Sequence, residues 1–136
     1  MTASSAPSER TRVRRNAENA IDDSATLRAI IDDAHLDHVA FHDDEGTHCI
    51  PTVCWREGEH LYIHGSNGGR LIKLLAQGAQ ACVTITHLDV LVMARAAFNH
   101  SMNYRSVLPL SRQRAAPLPD AGCTVAEPAY VKAWRG

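Results

Sequence analysis

What this 136-residue chain lacks narrows its function before anything else does. It has no excess of charge: 14 Lys and Arg face 15 Asp and Glu, for a formal net charge of −1. A general nucleic-acid binder would show a strong basic excess. No apolar run approaches the roughly 20 residues that span a bilayer. The opening Met1-Thr-Ala-Ser-Ser-Ala-Pro-Ser-Glu-Arg10 has no apolar signal-peptide core, so the expected compartment is the cytoplasm. Four cysteines, Cys49, Cys54, Cys82 and Cys123, form no close-spaced pair, which excludes a zinc ribbon. In a reducing compartment they are expected as free thiols packed like small hydrophobes. No Gly-Lys-Ser/Thr closes a Walker loop, and no Gly-x-Gly-x-x-Gly marks a dinucleotide fold.

What is present centres on residues 61–75. Leu61 and Ile63 alternate with Tyr62 and His64 at strand period, while Leu71, Ile72, Leu74 and Leu75 follow helix period. Between them, Gly65-Ser66-Asn67-Gly68-Gly69 exposes backbone N–H groups at a predicted helix start, where anions are stabilised. Arg70 adds a planar fork of donors suited to phosphate oxygens. The segment reads either as a phosphate seat or as a plain strand-to-helix connection whose glycines only turn the chain.

Around it the pattern is that of one domain, with 45% apolar residues. Residues 1–20 form a polar segment with Arg10, Arg12, Arg14 and Arg15, expected as a solvated tail. Asp22-Asp23-Ser24 can cap a helix whose stripe is Leu27, Ile30, Ile31 and Ala34. Strands are predicted over 36–42, 47–55 (with Pro51 implying an edge or bulge), 60–64, 80–87 and 102–108, with turns at 43–46 and 56–59. Val90–Ala94 reads as a buried apolar run, Met93 and Met102 as core filler and Asp89 as a turn residue. The fold class is therefore mainly β with α: a small barrel of antiparallel strands with one or two short helices over 21–108. From Pro109 onward, Pro117, Pro119 and Pro128 interrupt hydrogen bonding, and 109–136 is expected as an irregular tail. The alternative is that Val125, Tyr130, Val131 and Trp134 cover an open barrel edge.

Several strings line up with one family: Arg12-Val-Arg-Arg15 with Glu18, the helix over 25–34, Ile50-Pro-Thr52, Leu61-Tyr-Ile-His-Gly-Ser66 with Arg70, and Phe98-Asn-His-Ser-Met-Asn-Tyr-Arg-Ser-Val107. The chain resembles the FMN-binding split-barrel proteins related to pyridoxamine 5′-phosphate oxidase, in their nitroimidazole-resistance-like branch. The resemblance covers roughly residues 10–107. It implies a split β-barrel that works as a homodimer with FMN between the subunits. Residues His48, Ile50, Pro51, Thr52 and Val53 then run along the flavin. Ile63, His64 and Ser66 lie beside ribityl and phosphate, and Arg70 meets the phosphate. Gly69 stands where a basic or hydroxylated residue is common in the family. Tyr104, Arg105 and Ser106 face the cofactor across the dimer. The family pattern stops near Val107, so the barrel is expected to be incomplete.

Eight histidines invite a metal reading, since His38 with His42 and His60 with His64 share strand faces. Solvated or packed histidines explain them as well, and no metal site is expected. No base stands at a recognisable spacing from Cys54 or Cys82, and no catalytic residue is assigned. The expected function is a flavin-dependent oxidoreductase acting on a small reducible molecule, the flavin carrying the electrons. The alternatives are a non-catalytic flavin, deazaflavin or haem module, or an inactive truncated fragment.

Overall fold

A computed structural model describes residues 19–21, 23–66, 68–109, 116–118, 122–126 and 133–135. The elements in chain order are β1 (Ala20–Ile21), α1 (Ser24–Asp32), β2 (Asp37–Asp43), β3 (Gly46–Thr52), β4 (Cys54–Glu57) and β5 (His60–Ile63). They continue with α2 (Arg70–Ala76), β6 (Ala81–Val92), a 3-10 turn (Ala97–Asn99), β7 (Ser101–Val107), β8 (Ala116–Leu118), β9 (Gly122–Ala126) and β10 (Ala133–Arg135). Two sheets result, ordered β1-β10-β7-β6-β2-β3 and β4-β5-β9-β8, and every recorded pairing is antiparallel.

Strand alternation builds the core. Val39 and Phe41 of β2, Ala81, Val83 and Ile85 of β6, and Leu61 and Ile63 of β5 point inward. Leu27, Ile30 and Ile31 of α1 and Leu71, Ile72 and Leu75 of α2 meet them, as helix period requires. Asp23 caps α1 through Thr26, whose N–H donates to Oδ2 at 2.8 Å. The predicted capping role thus falls to Asp23. Pro51 lies in β3, at one end of the six-stranded sheet, where the missing N–H costs no ladder bond.

Three expectations are corrected. The run from Val90 to Met93 is exposed: β6 is 12 residues long and outruns the core, so its far half forms an arm with β7. Met93 and Met102 are 75% and 49% exposed and fill no core. Asp89 is no turn residue but sits at a β-bulge between Leu88 and Val90, where it takes a bidentate hold on Arg105. The third correction concerns 109–136. Pro109 is fully buried and its carbonyl accepts from Val83 N at 2.9 Å. Beyond it, β9 pairs with β5 and β10 with β7, so those strand edges are occupied. Pro117 does not prevent this because β8 is an outer strand. The segment 1–18 lies outside the described residues. Among the described residues no helix is long and apolar enough to cross a membrane.

A chain ending after Leu110 should therefore lose stability, because β5 and β7 would both lose a neighbour. Four residue pairs join β5 to β9. At roughly 1 kcal/mol net per hydrogen bond, losing that ladder alone costs about 4 kcal/mol. Thermal melting of the shortened chain checks this, and an unchanged midpoint would show the tail to be dispensable.

Candidate functional site

The site begins at a corner. After Thr52 the chain leaves the first sheet, passes Val53 and enters the second at Cys54. Three bonds hold this crossing. Asp37 Oδ2 accepts from Cys54 N at 3.1 Å, Thr52 Oγ1 donates to the His64 carbonyl at 2.7 Å, and His64 N donates to the Val53 carbonyl at 3.0 Å. Asp37 is only 1% exposed, and among the described residues its Oδ1 has no hydrogen-bond partner. Burial raises its pKa from the ordinary value, against the opposing hydrogen bond from Cys54. Burial also pushes the Cys54 thiol up, with Asp37 adding to the effect, so Cys54 stays a thiol and packs in the core.

The corner places the end of β3 beside the end of β5, and the loop after Ile63 then leads into α2. A cavity of about 280 Å³ opens there, lined by Phe41, His48, Ile50, Thr52, His64, Gly65, Ser66, Gly69, Arg70, Leu71 and Ile72. His48, Ile50 and Thr52 share one face of β3 by strand alternation. The loop must lie tight on α2: a Cβ at Gly65 would stand 2.9 Å from Ile72 Cγ1. Gly69 is the N-cap of α2 and offers no side-chain bond, which leaves first-turn N–H groups without a side-chain cap.

Charge collects at one end of this cavity. Arg70 pairs with Glu45 at 2.8 Å and approaches Asp43 at 3.6 Å. His48 stacks on Phe41, with centroids 5.1 Å apart, and its Nε2 lies 2.9 Å from Asp43 Oδ1. That contact takes the Nε2 proton, so Arg70 Nη1, 3.4 Å from the same nitrogen, is a charge neighbour and not a donor to it. The bond from His48 holds the Asp43 carboxyl below its usual range, with Arg70 a smaller contributor. A second, more open cavity of about 360 Å³ also has Arg70 in its lining, with Asp43, Gly68, Lys73, Leu74 and Gln77.

Of the residues expected at a cofactor, His48, Ile50, Thr52, His64, Ser66, Gly69 and Arg70 converge on the first cavity. Pro51 lies on the other face of β3, Val53 is half exposed at the corner, and Ile63 is fully buried in the core. Tyr104, Arg105 and Ser106 sit on β7, away from the cavity of their own chain. Phe41 and Ile72 line the cavity but were hidden in the sequence, where each reads as an ordinary core residue of its element. No group of three or more His, Cys, Asp or Glu that could hold a metal ion occurs among the described residues.

Residues 23–119 match the family model described as pyridoxamine 5′-phosphate oxidase. Among solved structures, the flavocytochrome Anf3 from Azotobacter vinelandii shares 30% identity over 96% of this chain and 75% of its own, with a TM-score of 0.83. The FAD and haem binding protein from Mycobacterium smegmatis is 22% identical over 87% of this chain and 73% of its own, with a TM-score of 0.76. A candidate 5-nitroimidazole antibiotic resistance protein from Bacteroides thetaiotaomicron is 17% identical over 84% of each chain, with a TM-score of 0.67, and bears on the fold alone. No curated protein sequence matches the chain.

The corner carries a pH signature. A carboxyl whose folded pKa is raised binds its proton more tightly in the folded state, so its contribution is complete below the ordinary value and is lost as pH rises through the raised one. Asp37→Asn removes that titration while keeping an acceptor for Cys54 N. The stability of the variant should therefore gain on that of the unmodified chain as pH climbs from 4 to 7, read by urea unfolding. Parallel profiles would mean that Asp37 titrates as an ordinary surface carboxyl.

Proposed function

Because the chain belongs to the pyridoxamine 5′-phosphate oxidase family, we propose that it binds a flavin, with the ring in the apolar part of the first cavity and the phosphate at Arg70. The observation that carries this reading is the union, in one cavity, of apolar walls, a strand edge and a cation. Phe41, Ile50, Leu71 and Ile72 suit a flat, largely apolar ring. Among the described residues β3 ends its sheet, so its outer N–H and C=O groups meet no strand there and can meet the polar edge of such a ring. Arg70, with its side chain about half exposed, can trade Glu45 for a phosphate. The smallest flavin with this chemistry is FMN; the relatives named for a flavin are named for FAD.

When bound, the flavin would supply electron transfer to or from a small reducible molecule. The chain itself would orient the ring through β3, exclude water with Phe41, Leu71 and Ile72, and hold the phosphate with Arg70. His48, tied to Asp43 and stacked on Phe41, would keep that end of the cavity rigid. A second reading, haem in the same groove, is favoured by His64. Among the described residues its ring makes no side-chain bond, and it stands at the cavity with an imidazole open to a ligand. The visible spectrum of the purified protein separates the two, since a flavin doublet and a Soret band do not overlap.

Arg70→Ala should weaken flavin binding by roughly tenfold to a hundredfold, and Arg70→Lys by less, because charge-assisted hydrogen bonds are each worth ~1.5–3 kcal/mol. Titration by flavin fluorescence quenching reads this directly. Equal affinity for the Ala variant and the unmodified chain would remove the phosphate from Arg70.

The same reading includes a homodimer. Leu88, Val90, Leu91, Met93 and Met102 are 49–75% exposed on the β6–β7 arm, and Phe98 at its tip is 98% exposed. Covering a large apolar side chain is worth about 1.5–3 kcal/mol each, which favours a partner for this arm. A second copy would bring Tyr104, Arg105 and Ser106 of β7 toward the first copy's cavity. Sedimentation of the flavin-loaded protein should give a dimer. A flavin-loaded monomer is incompatible with this arrangement.

A further inference from the structure

We propose that Glu45 is a built-in competitor for the anion seat at Arg70: its carboxylate holds the guanidinium edge that a ligand phosphate would take, and it must leave before the phosphate binds. The proposal rests on the flavin reading above and adds to it a residue that restrains binding.

The β2–β3 hairpin aims this side chain. Asp43 and Gly46 pair across it, and Asp44-Glu45 form the two-residue turn between them. Gly46 closes the turn at φ 130°, a backbone conformation that favours glycine. The Glu45 N–H donates to Asp43 Oδ1 at 2.9 Å, and His48 Nε2 stands 2.9 Å from the same oxygen. One carboxylate thus ties the turn backbone to β3. From that turn Glu45 reaches α2, where its Oε2 lies 2.8 Å from Arg70 Nη2.

The two carboxylates around Arg70 differ in their freedom to leave. The Asp43 side chain is 13% exposed, is fixed by the two contacts just named, and stands 3.6 Å from Arg70 Nε, beyond direct hydrogen-bond range. The Glu45 side chain is 70% exposed, and among the described residues its carboxylate meets Arg70 alone. Exposed pairs of this kind are weak, so the contact can break in solution. It still competes, because carboxylate and phosphate oxygens both accept from the guanidinium N–H groups and contend for the same donor. A phosphate arriving with Glu45 in place would meet two carboxylates around one cation. Displacing Glu45 removes one of them and frees Nη2. Glu45 lines neither cavity, so it acts on the seat only through the guanidinium.

The test measures FMN, and riboflavin, which lacks the phosphate, by quenching of flavin fluorescence. It uses the full chain, Glu45→Gln, Asp44→Asn, Arg70→Ala and the Arg70→Ala/Glu45→Gln double variant. Glu45 and Asp44 are both exposed on the turn, so neither change opens the core. Glu45→Gln should tighten FMN about threefold to fivefold, the scale of an exposed ion pair, and move riboflavin by less than about twofold. Asp44 pairs with no cation among the described residues, and Asp44→Asn should move FMN by less than about twofold. That comparison separates a contact from a general change of charge. On the Arg70→Ala background Glu45→Gln should lose its effect, since the two residues act through one contact. Unchanged FMN affinity for Glu45→Gln, or an equal gain with Asp44→Asn, would overturn the competitor while leaving the flavin reading intact. Binding of neither flavin would overturn that reading, and this proposal with it.

Discussion

Everything at the site hangs on the crossing at Val53, where one strand path leaves the first sheet and enters the second. A chain that changes sheets cannot keep its ladder through the corner, so the corner's polar groups need other partners. Here they find them in Asp37, Thr52 and His64. The cost is visible in Asp37, whose second carboxylate oxygen is buried with no hydrogen-bond partner among the described residues. The gain is position: bonds through Thr52 and His64 fix the end of β3 against the end of β5, and the cavity is the space they leave.

The charged end of the cavity follows a different logic. Arg70, Asp43, Glu45 and His48 come from a helix start, a strand end, a turn and a strand, and each is partly open to water. Surface pairs of this kind contribute little to stability. They hold the Arg70 guanidinium in place at the mouth of the cavity. Lys73 extends the same face one turn further. The β6–β7 arm is the other feature that stands out: Leu88, Val90, Leu91, Met93 and Met102 are exposed on it, and it is continuous with β7, the strand that bears Tyr104, Arg105 and Ser106.

Much of this was legible in the residues. Period 2 and period 3.6 placed β2, β5, α1 and α2 within a residue or two, because each buries one face and its apolar spacing records which. The Gly-rich loop ending on Arg70 identified one wall of the cavity, since only small residues allow the loop to lie on Ile72. The reading failed where local pattern and environment part company. Val90–Met93 is apolar, but whether an apolar run is core or arm depends on where the sheet ends, which is not a local property. Prolines argue against a central strand, but they cannot say that β8 is an outer one.

By itself the sequence determined the element types, the apolar faces and the small-residue loop that ends on Arg70, because propensity, period and side-chain chemistry act over a few neighbours. Only the tertiary structure decided that Phe41 and Ile72 wall the same cavity as His64, and that β9 and β10 occupy the edges of β5 and β7. It also decided that Lys73 stands over a second cavity next to Arg70. Those facts depend on pairings between residues far apart in the chain, and no local pattern encodes which distant edge a strand will choose.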